Sequence, residues 1–187
     1  MSWLDNSEYD GLIVPAGKAH GVPPELLKAL VARESRFDPH AYRAEPSRDD
    51  ASRGLTQILA ATARGLGYDG SDNGLYDPAT NLDLGAAYLA EQHGRAGNWA
   101  GAVSAYNGGW RPQLAFGMVA AKPGIVCNSL EVPVGRFCNQ GYVDDVMGYW
   151  TYYRTGQLPD GGHIVFASLG PVALLLLGGA LLGAIAR

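Results

Sequence analysis

Glu34 is the residue whose setting most clearly suggests chemistry. On a helix it lies on the same apolar stripe as Leu27 and Leu30. A carboxylate on that face is costly to keep ionised, so its pKa rises towards neutral pH. A carboxyl group that keeps its proton there can act as the general acid that cleaves a glycosidic bond. The alternative is a glutamate whose stem packs inward while its head reaches solvent or pairs with an arginine.

The elements that position Glu34 are predicted to be mostly helical. Pro23 and Pro24 suit the first turn of its helix, and Pro39 prevents that helix from continuing far. Asp77 and Asn98 are good N-caps for two later helices. The predicted helices are residues 23–35, about 60–66, 77–94, 98–108 and 141–153, and one short β-hairpin is predicted around 52–58. The fold class is therefore mainly α, in a domain spanning residues 1–154.

Four short blocks occur in a characteristic order around this helix. They read ESRF from Glu34, SRGLTQI from Ser52, AYNGG from Ala105 and GYVDDV from Gly141. This ordered set resembles the soluble lytic transglycosylase family, which has a lysozyme-like helical fold. The resemblance covers about residues 22–153 and makes Glu34 the single catalytic acid/base.

The resemblance also implies a set of substrate-binding residues. They are Ser52 near the catalytic glutamate, Gln57 bonded to the sugar, Tyr106 and Asn107 along the cleft, and Tyr142 with its hydroxyl near the carboxylate. Read singly, the two tyrosines could be core residues, Asn107 a helix C-cap and Gln57 a turn residue. Thr56 departs from the family, which usually has methionine there, so we expect altered contacts with the sugar. The loop 110–140 is longer than the family pattern, and we expect it to reshape one wall of the cleft.

The reaction implied by the resemblance needs one carboxyl group and no metal or organic cofactor. The substrate is peptidoglycan, cleaved between N-acetylmuramic acid and N-acetylglucosamine with closure of a 1,6-anhydro ring. A hydrolytic lysozyme is the near alternative, with Asp49 or Asp50 as the second acid that such enzymes usually need. A protein that binds the wall but has lost the activity is the third hypothesis.

Charge and cysteine content limit the other functions. The net charge of -4 argues against nucleic acid as a partner. Five arginines between Arg33 and Arg53 form either a solvated basic face or a surface that steers an anionic polymer to the cleft. Cys127 and Cys138 lack the spacing of a zinc site, so we predict one disulfide, with free thiols as the alternative.

The C-terminus has the composition of a membrane anchor. Residues 164–186 carry no charge and are long enough to span a bilayer, after a turn-rich linker at 155–163. Gly179 and Gly183 have the spacing of a helix–helix dimer contact. The N-terminus lacks the features of a signal peptide. We therefore expect the internal membrane of a bacteriophage particle as the location. The alternatives are a holin-released phage lysis enzyme or a wall-remodelling enzyme of the bacterial envelope.

Overall fold

The computed structural model describes residues 3–159. Within that range the helices are α1 (Asp10–Ala19), α2 (Pro24–Glu34), α3 (Ala60–Gly65), α4 (Pro78–Ala96), α5 (Trp99–Gly108) and α6 (Gln140–Thr155). The strands are β1 (Tyr42–Glu45), β2 (Asp50–Arg53), β3 (Ile58–Leu59), β4 (Val126–Cys127) and β5 (Leu130–Glu131). The predicted mainly α fold is confirmed.

Capping residues start α4 and α5 where the sequence predicted, but α4 runs to Ala96, two residues beyond the predicted end at residue 94. The Asp77 carboxylate accepts from the backbone N–H of Thr80 at 2.9 Å, and α4 ends where Gly97 turns left-handed with φ 71°. The Asn98 side chain accepts from the N–H of Gly101 at 2.8 Å and starts α5. Helix α1 was not predicted, because Pro15 lies inside it and apolar residues such as Leu12 face solvent.

Helix α2 lies at the centre of the core. Six of its side chains are completely buried, four of them larger than alanine, and it packs against both α1 and α6. These four are Leu26, Leu27, Leu30 and Val31. Each contributes roughly 1.5–3 kcal/mol through burial, so α2 is firmly held and its last residue, Glu34, has a fixed position.

A three-stranded antiparallel sheet lies beside the helices in the order β1-β2-β3. Strands β2 and β3 pair Ser52 with Leu59 and Arg53 with Ile58, which confirms the predicted hairpin. Strand β1 extends it, pairing Arg43 with Ser52. The sequence did not predict β1, because most of its side chains are exposed and no apolar alternation marks it.

The segment between α5 and α6 forms a small unit of its own. Cys127 and Cys138 are joined in a disulfide with their Cα atoms 5.7 Å apart, which confirms the predicted pairing. A minor core of Ala115, Ala120 and Val132 packs beneath it. The short β4–β5 hairpin carries Cys127.

The predicted membrane segment, residues 164–186, lies outside the described residues, as do Gly179 and Gly183. Across residues 3–159, no helix has both the length and the apolar character needed to cross a bilayer.

Candidate active site

Glu34 is the last residue of α2, and it meets α6 at Tyr142. The Tyr142 hydroxyl donates a hydrogen bond to Glu34 Oε1. Tyr142 is buried, with 8 % of its surface exposed, whereas Glu34 is only partly buried. The Glu34 side chain lines a cleft on its exposed side. The packing of α2 against α6 therefore brings together two residues that are 108 positions apart in the sequence.

The surroundings of Glu34 favour its protonated form. Burial raises the pKa of the Glu34 carboxyl above its ordinary value of 4.5. The Tyr142 hydrogen bond and the positive charges of Arg33 and Arg43 oppose this effect without cancelling it. The group can therefore hold a proton closer to neutral pH than an exposed glutamate and release it to a bound substrate.

The cleft in front of Glu34 has a volume of about 630 Å³, part of which is open solvent. Helices and sheet both contribute side chains, and five of the six predicted site residues line it. These five are Glu34, Ser52, Gln57, Tyr106 and Asn107. The sixth, Tyr142, contacts Glu34 from behind. The loop 110–140 contributes no lining residue, although its Asn139 donates to Asn107 at 3.0 Å, so our expectation that it reshapes one wall of the cleft stays a prediction.

Tyr106 and Asn107 reach the cleft from the end of α5. The Tyr106 hydroxyl donates to the carbonyl of Thr56 at 2.9 Å, and its ring lies 5.1 Å from the ring of Tyr88. Burial, followed by the nearby Glu34, raises the pKa of Tyr106, so its hydroxyl stays neutral. Asn107 is exposed and accepts from Asn139 at 3.0 Å. Both residues can present polar atoms to a sugar.

Gln57 sits in a turn that the backbone makes by adopting a left-handed conformation, with φ 51°. Its amide nitrogen donates to the carbonyls of Ala41 and Gly54 at 3.0 and 3.1 Å. The amide nitrogen thus holds the turn against the start of β1. The amide oxygen is the atom that could accept a hydrogen bond from a ligand hydroxyl.

Thr56 points away from the cleft. Its side chain is completely buried, and its hydroxyl bonds to the Asn81 side-chain oxygen at 2.8 Å. A Cβ added at Gly85 would lie 2.5 Å from Thr56, which shows how closely α4 approaches this residue. The expectation that Thr56 alters contacts with the sugar is therefore wrong. It fixes the turn that carries Gln57.

Comparison with known proteins identifies the family of this chain. The model of the transglycosylase SLT domain family matches residues 11–115, more than half of the 187 residues. The chain belongs to the transglycosylase SLT domain family.

Solved structures place this SLT domain in the same fold. The 70-kDa soluble lytic transglycosylase from Escherichia coli matches 78% of the chain with a TM-score of 0.57 and 25% identity. A complex of the 70-kDa soluble lytic transglycosylase with bulgecin A matches 79% with a TM-score of 0.59 and 26% identity. An inactive variant of lytic transglycosylase Slt from Pseudomonas aeruginosa matches 78% with a TM-score of 0.59 and 23% identity. This chain spans about a quarter, 24%, of each of those proteins.

Several site features of this SLT domain were not predicted from the sequence. Arg33 bonds through Nε to Asp145 at 2.9 Å, and its guanidinium lies 5.2 Å from the centre of the Tyr142 ring. Arg43 pairs with Glu45 at 2.6 Å on the sheet side of the cleft. These charged residues are visible in the basic stretch and in the GYVDDV block, but the sequence does not show which of them pair. Arg33 and Asp145 come from opposite ends of the domain, and Arg43 and Glu45 lie on a strand that lacks an apolar pattern.

Asp49 and Asp50, the alternative second acids, do not line the cleft. Asp50 is partly buried, which raises its pKa, but the backbone N–H groups of Ala61 and Ala51 and the Arg53 side chain outweigh this effect and hold the pKa below its ordinary value. Its oxygens are thus occupied in fixing the sheet to α3. Among residues 3–159, no group of three or more potential metal ligands occurs.

Proposed function

We propose that this SLT domain is a peptidoglycan lytic transglycosylase. The observation that carries the proposal is Glu34, a partly buried carboxyl group that is bonded to Tyr142 and faces a cleft. Family membership and the structural match to lytic transglycosylases support the activity and the substrate. The bond cleaved is the β-1,4 linkage between N-acetylmuramic acid and N-acetylglucosamine.

The proposed reaction uses Glu34 twice. The protonated carboxyl first gives its proton to the bridging oxygen, and N-acetylglucosamine leaves as an alcohol. The C6 hydroxyl oxygen of the muramyl residue forms the new bond to C1, either directly or after its N-acetyl group has done so. The Glu34 carboxylate then takes the C6 hydroxyl proton, which restores the starting enzyme and leaves a 1,6-anhydro ring. No water is consumed, and the Tyr142 hydrogen bond steadies the carboxylate between the two steps.

One observation favours a hydrolytic muramidase as the second candidate. Glu45 lines the same cleft as Glu34 and pairs with Arg43 at 2.6 Å. A second carboxylate across a cleft is the arrangement that activates water in an inverting glycosidase. In that case Glu45, rather than Asp49 or Asp50, would be the second acid.

Mass spectrometry of the sugars released from purified peptidoglycan tests both candidates. With the full chain in detergent, we expect 1,6-anhydro-muramyl products, none with Glu34→Gln, and unchanged products with Glu25→Gln, an exposed glutamate on the same helix. Reducing-end products that disappear with Glu45→Gln would establish the muramidase instead. A folded chain that binds peptidoglycan and releases nothing would establish the inactive wall-binding protein.

We also propose that the chain is anchored in the internal membrane of a bacteriophage particle and opens the wall locally during entry. The apolar composition of residues 164–186 and a wall-cleaving domain support this location. Gly179 and Gly183 would pack two such helices together. Immunoblots of purified particles and of host envelope test it, and a chain found only in the envelope would refute it. Loss of a crosslinked dimer in Gly179→Ile would support the helix contact.

A further inference from the structure

The sheet side of the cleft carries a positive charge that is not neutralised. Three charged side chains from the β1–β2 hairpin line the cleft: Arg43, Glu45 and Arg48. Arg43 and Glu45 are 2.6 Å apart and cancel one another. Within the described range 3–159, Arg48 makes no hydrogen bond and no ion pair. When Glu34 is protonated, the cleft therefore has one surplus positive charge, on Arg48.

The backbone at Arg48 is held by its turn. Pro46 begins a single helical turn that ends at Arg48, and Asp49 reverses the chain with φ 50°. Asp50 then ties the hairpin down by accepting from the N–H of Ala61 at 2.9 Å. Arg48 lines the same cleft as Tyr88 of α4. Its side chain thus projects from a fixed point over the cleft.

We propose that Arg48 forms a carboxylate-binding subsite, which recognises the acidic substituent on the muramyl residue. The inference rests on the proposed function. The sugar rings of peptidoglycan are uncharged, so the acidic groups available to Arg48 are carboxylates of the peptide stem or, where the stem is absent, the lactyl carboxylate. A guanidinium binds such a group through paired hydrogen bonds, and the match adds specificity as well as affinity.

Three preparations of glycan strands separate these sources. Strands with intact stems offer only stem carboxylates, amidase-stripped strands offer only lactyl carboxylates, and stem-bearing strands amidated with carbodiimide and ammonia offer neither. The full chain, Arg48→Gln and the control Arg95→Gln are compared by kcat/KM on each. Arg95 is a surface arginine on α4 outside the cleft, so its replacement changes net charge equally.

We expect Arg48→Gln to lose about tenfold in kcat/KM on one acidic preparation, the order of a charge-assisted hydrogen bond. A loss on intact strands identifies the stem, and a loss on stripped strands identifies the lactyl group. On amidated strands, wild type and Arg48→Gln should have the same kcat/KM. An equal loss on all three preparations, a loss shared by Arg95→Gln, or no loss at all overturns the subsite. A wild-type chain that releases no product on any preparation refutes the proposed function instead.

A separate feature lies behind Glu34, on the side away from the cleft. Arg33 is partly buried, bonds to Asp145 at 2.9 Å and makes a cation–π contact with the Tyr142 ring, with its guanidinium carbon 5.2 Å from the ring centre. The same Tyr142 ring carries the hydroxyl that donates to Glu34. The Tyr142 ring is therefore contacted on its face by the Arg33 guanidinium and at its hydroxyl by Glu34.

We propose that the Arg33–Asp145 ion pair is a positioning element for Glu34, holding the Tyr142 ring and presenting a neutralised cation to the carboxyl group. Other charged or titratable groups also surround Glu34. They are Arg43 and Glu45 on β1, Arg48 in the next turn, Tyr88 on α4, Tyr106 on α5 and Tyr142 on α6. Unlike these groups, Arg33 joins α2 to α6 through both a cation–π contact and an ion pair.

The two partners predict opposite effects on Glu34. Arg33 lowers the pKa of Glu34, so Arg33→Gln should raise it and move the basic limb of the pH profile to higher pH. Asp145→Asn keeps an acceptor for Arg33 but removes the neutralising charge, so the limb should move to lower pH. Arg33→Lys should return the basic limb of the pH profile to its wild-type position without restoring kcat, because a lysine lacks the planar guanidinium that contacts the Tyr142 ring.

Arg154→Gln is the matched control. Arg154 also makes a cation–π contact with an aromatic ring of α6, that of Trp150 at 5.3 Å, but does not line the cleft. Carbon-13 NMR titration of the Glu34 carboxyl reads the same shifts without substrate, so the inference is tested even if the proposed function fails. Shifts in the same direction for Arg33→Gln and Asp145→Asn, or no shift in either, overturn the positioning role.

Discussion

Asn81 holds the turn that carries Gln57, and replacing it should weaken both stability and activity. Its side chain is completely buried and makes four hydrogen bonds. It accepts from the N–H and the hydroxyl of Thr56, each at 2.8 Å, and donates to the carbonyls of Arg53 and Leu75 at 2.8 and 2.7 Å. Asn81→Ala removes all four contacts and leaves three backbone groups without this partner.

The size of the effect follows from these contacts. A buried polar group that loses its partner costs about 1–3 kcal/mol, and the Thr56 hydroxyl keeps its 3.2 Å bond to the Asn81 carbonyl. With three affected backbone groups, and with water entering the space to bond some of them, the free energy of unfolding should fall by about 3–5 kcal/mol. This is a large part of the roughly 5–15 kcal/mol that stabilises a domain.

Urea unfolding monitored by circular dichroism measures this loss. Asn98→Ala is the matched control, because Asn98 is an exposed N-cap whose replacement should cost about 1 kcal/mol. The folded fraction of Asn81→Ala should also release product more slowly, since Thr56 accepts the hydroxyl of Tyr106. A loss in Asn81→Ala no larger than that in Asn98→Ala would refute the reasoning.

Three further predictions follow from the site and the disulfide. Tyr142→Phe removes the hydrogen bond that lowers the pKa of Glu34, so the basic limb of kcat/KM should move to higher pH, and an unmoved limb would contradict this. Because the folded state raises the pKa of Glu34, stability is lost as pH rises above the ordinary value of 4.5. Glu34→Gln should therefore unfold at a higher temperature than wild type at neutral pH and at the same temperature well below pH 4.5, as calorimetry would show. Cys127→Ser with Cys138→Ser should cost about 3 kcal/mol for a separation of 11 residues, and reductant should lower the Tm of the wild type alone.

The sequence by itself determined the helices around the site and the family resemblance. Glu34 on the stripe of Leu27 and Leu30, the Asp77 and Asn98 caps and the glycines that end α5 are local signals, since each depends on neighbours a few residues away. Local signals survive folding when the tertiary contacts agree with them, as they do in α2 and α4.

Only the tertiary structure decided which way each side chain points and what it meets. Thr56 turned inward to Asn81, Asp50 was used to fix the sheet, and Glu45 entered the cleft from a strand without an apolar pattern. Arg33 and Asp145 are 112 positions apart and meet because α2 packs on α6. Such pairings depend on how distant elements dock, and periodicity along the chain carries no information about them, because it records the face of one element and not the element that covers it.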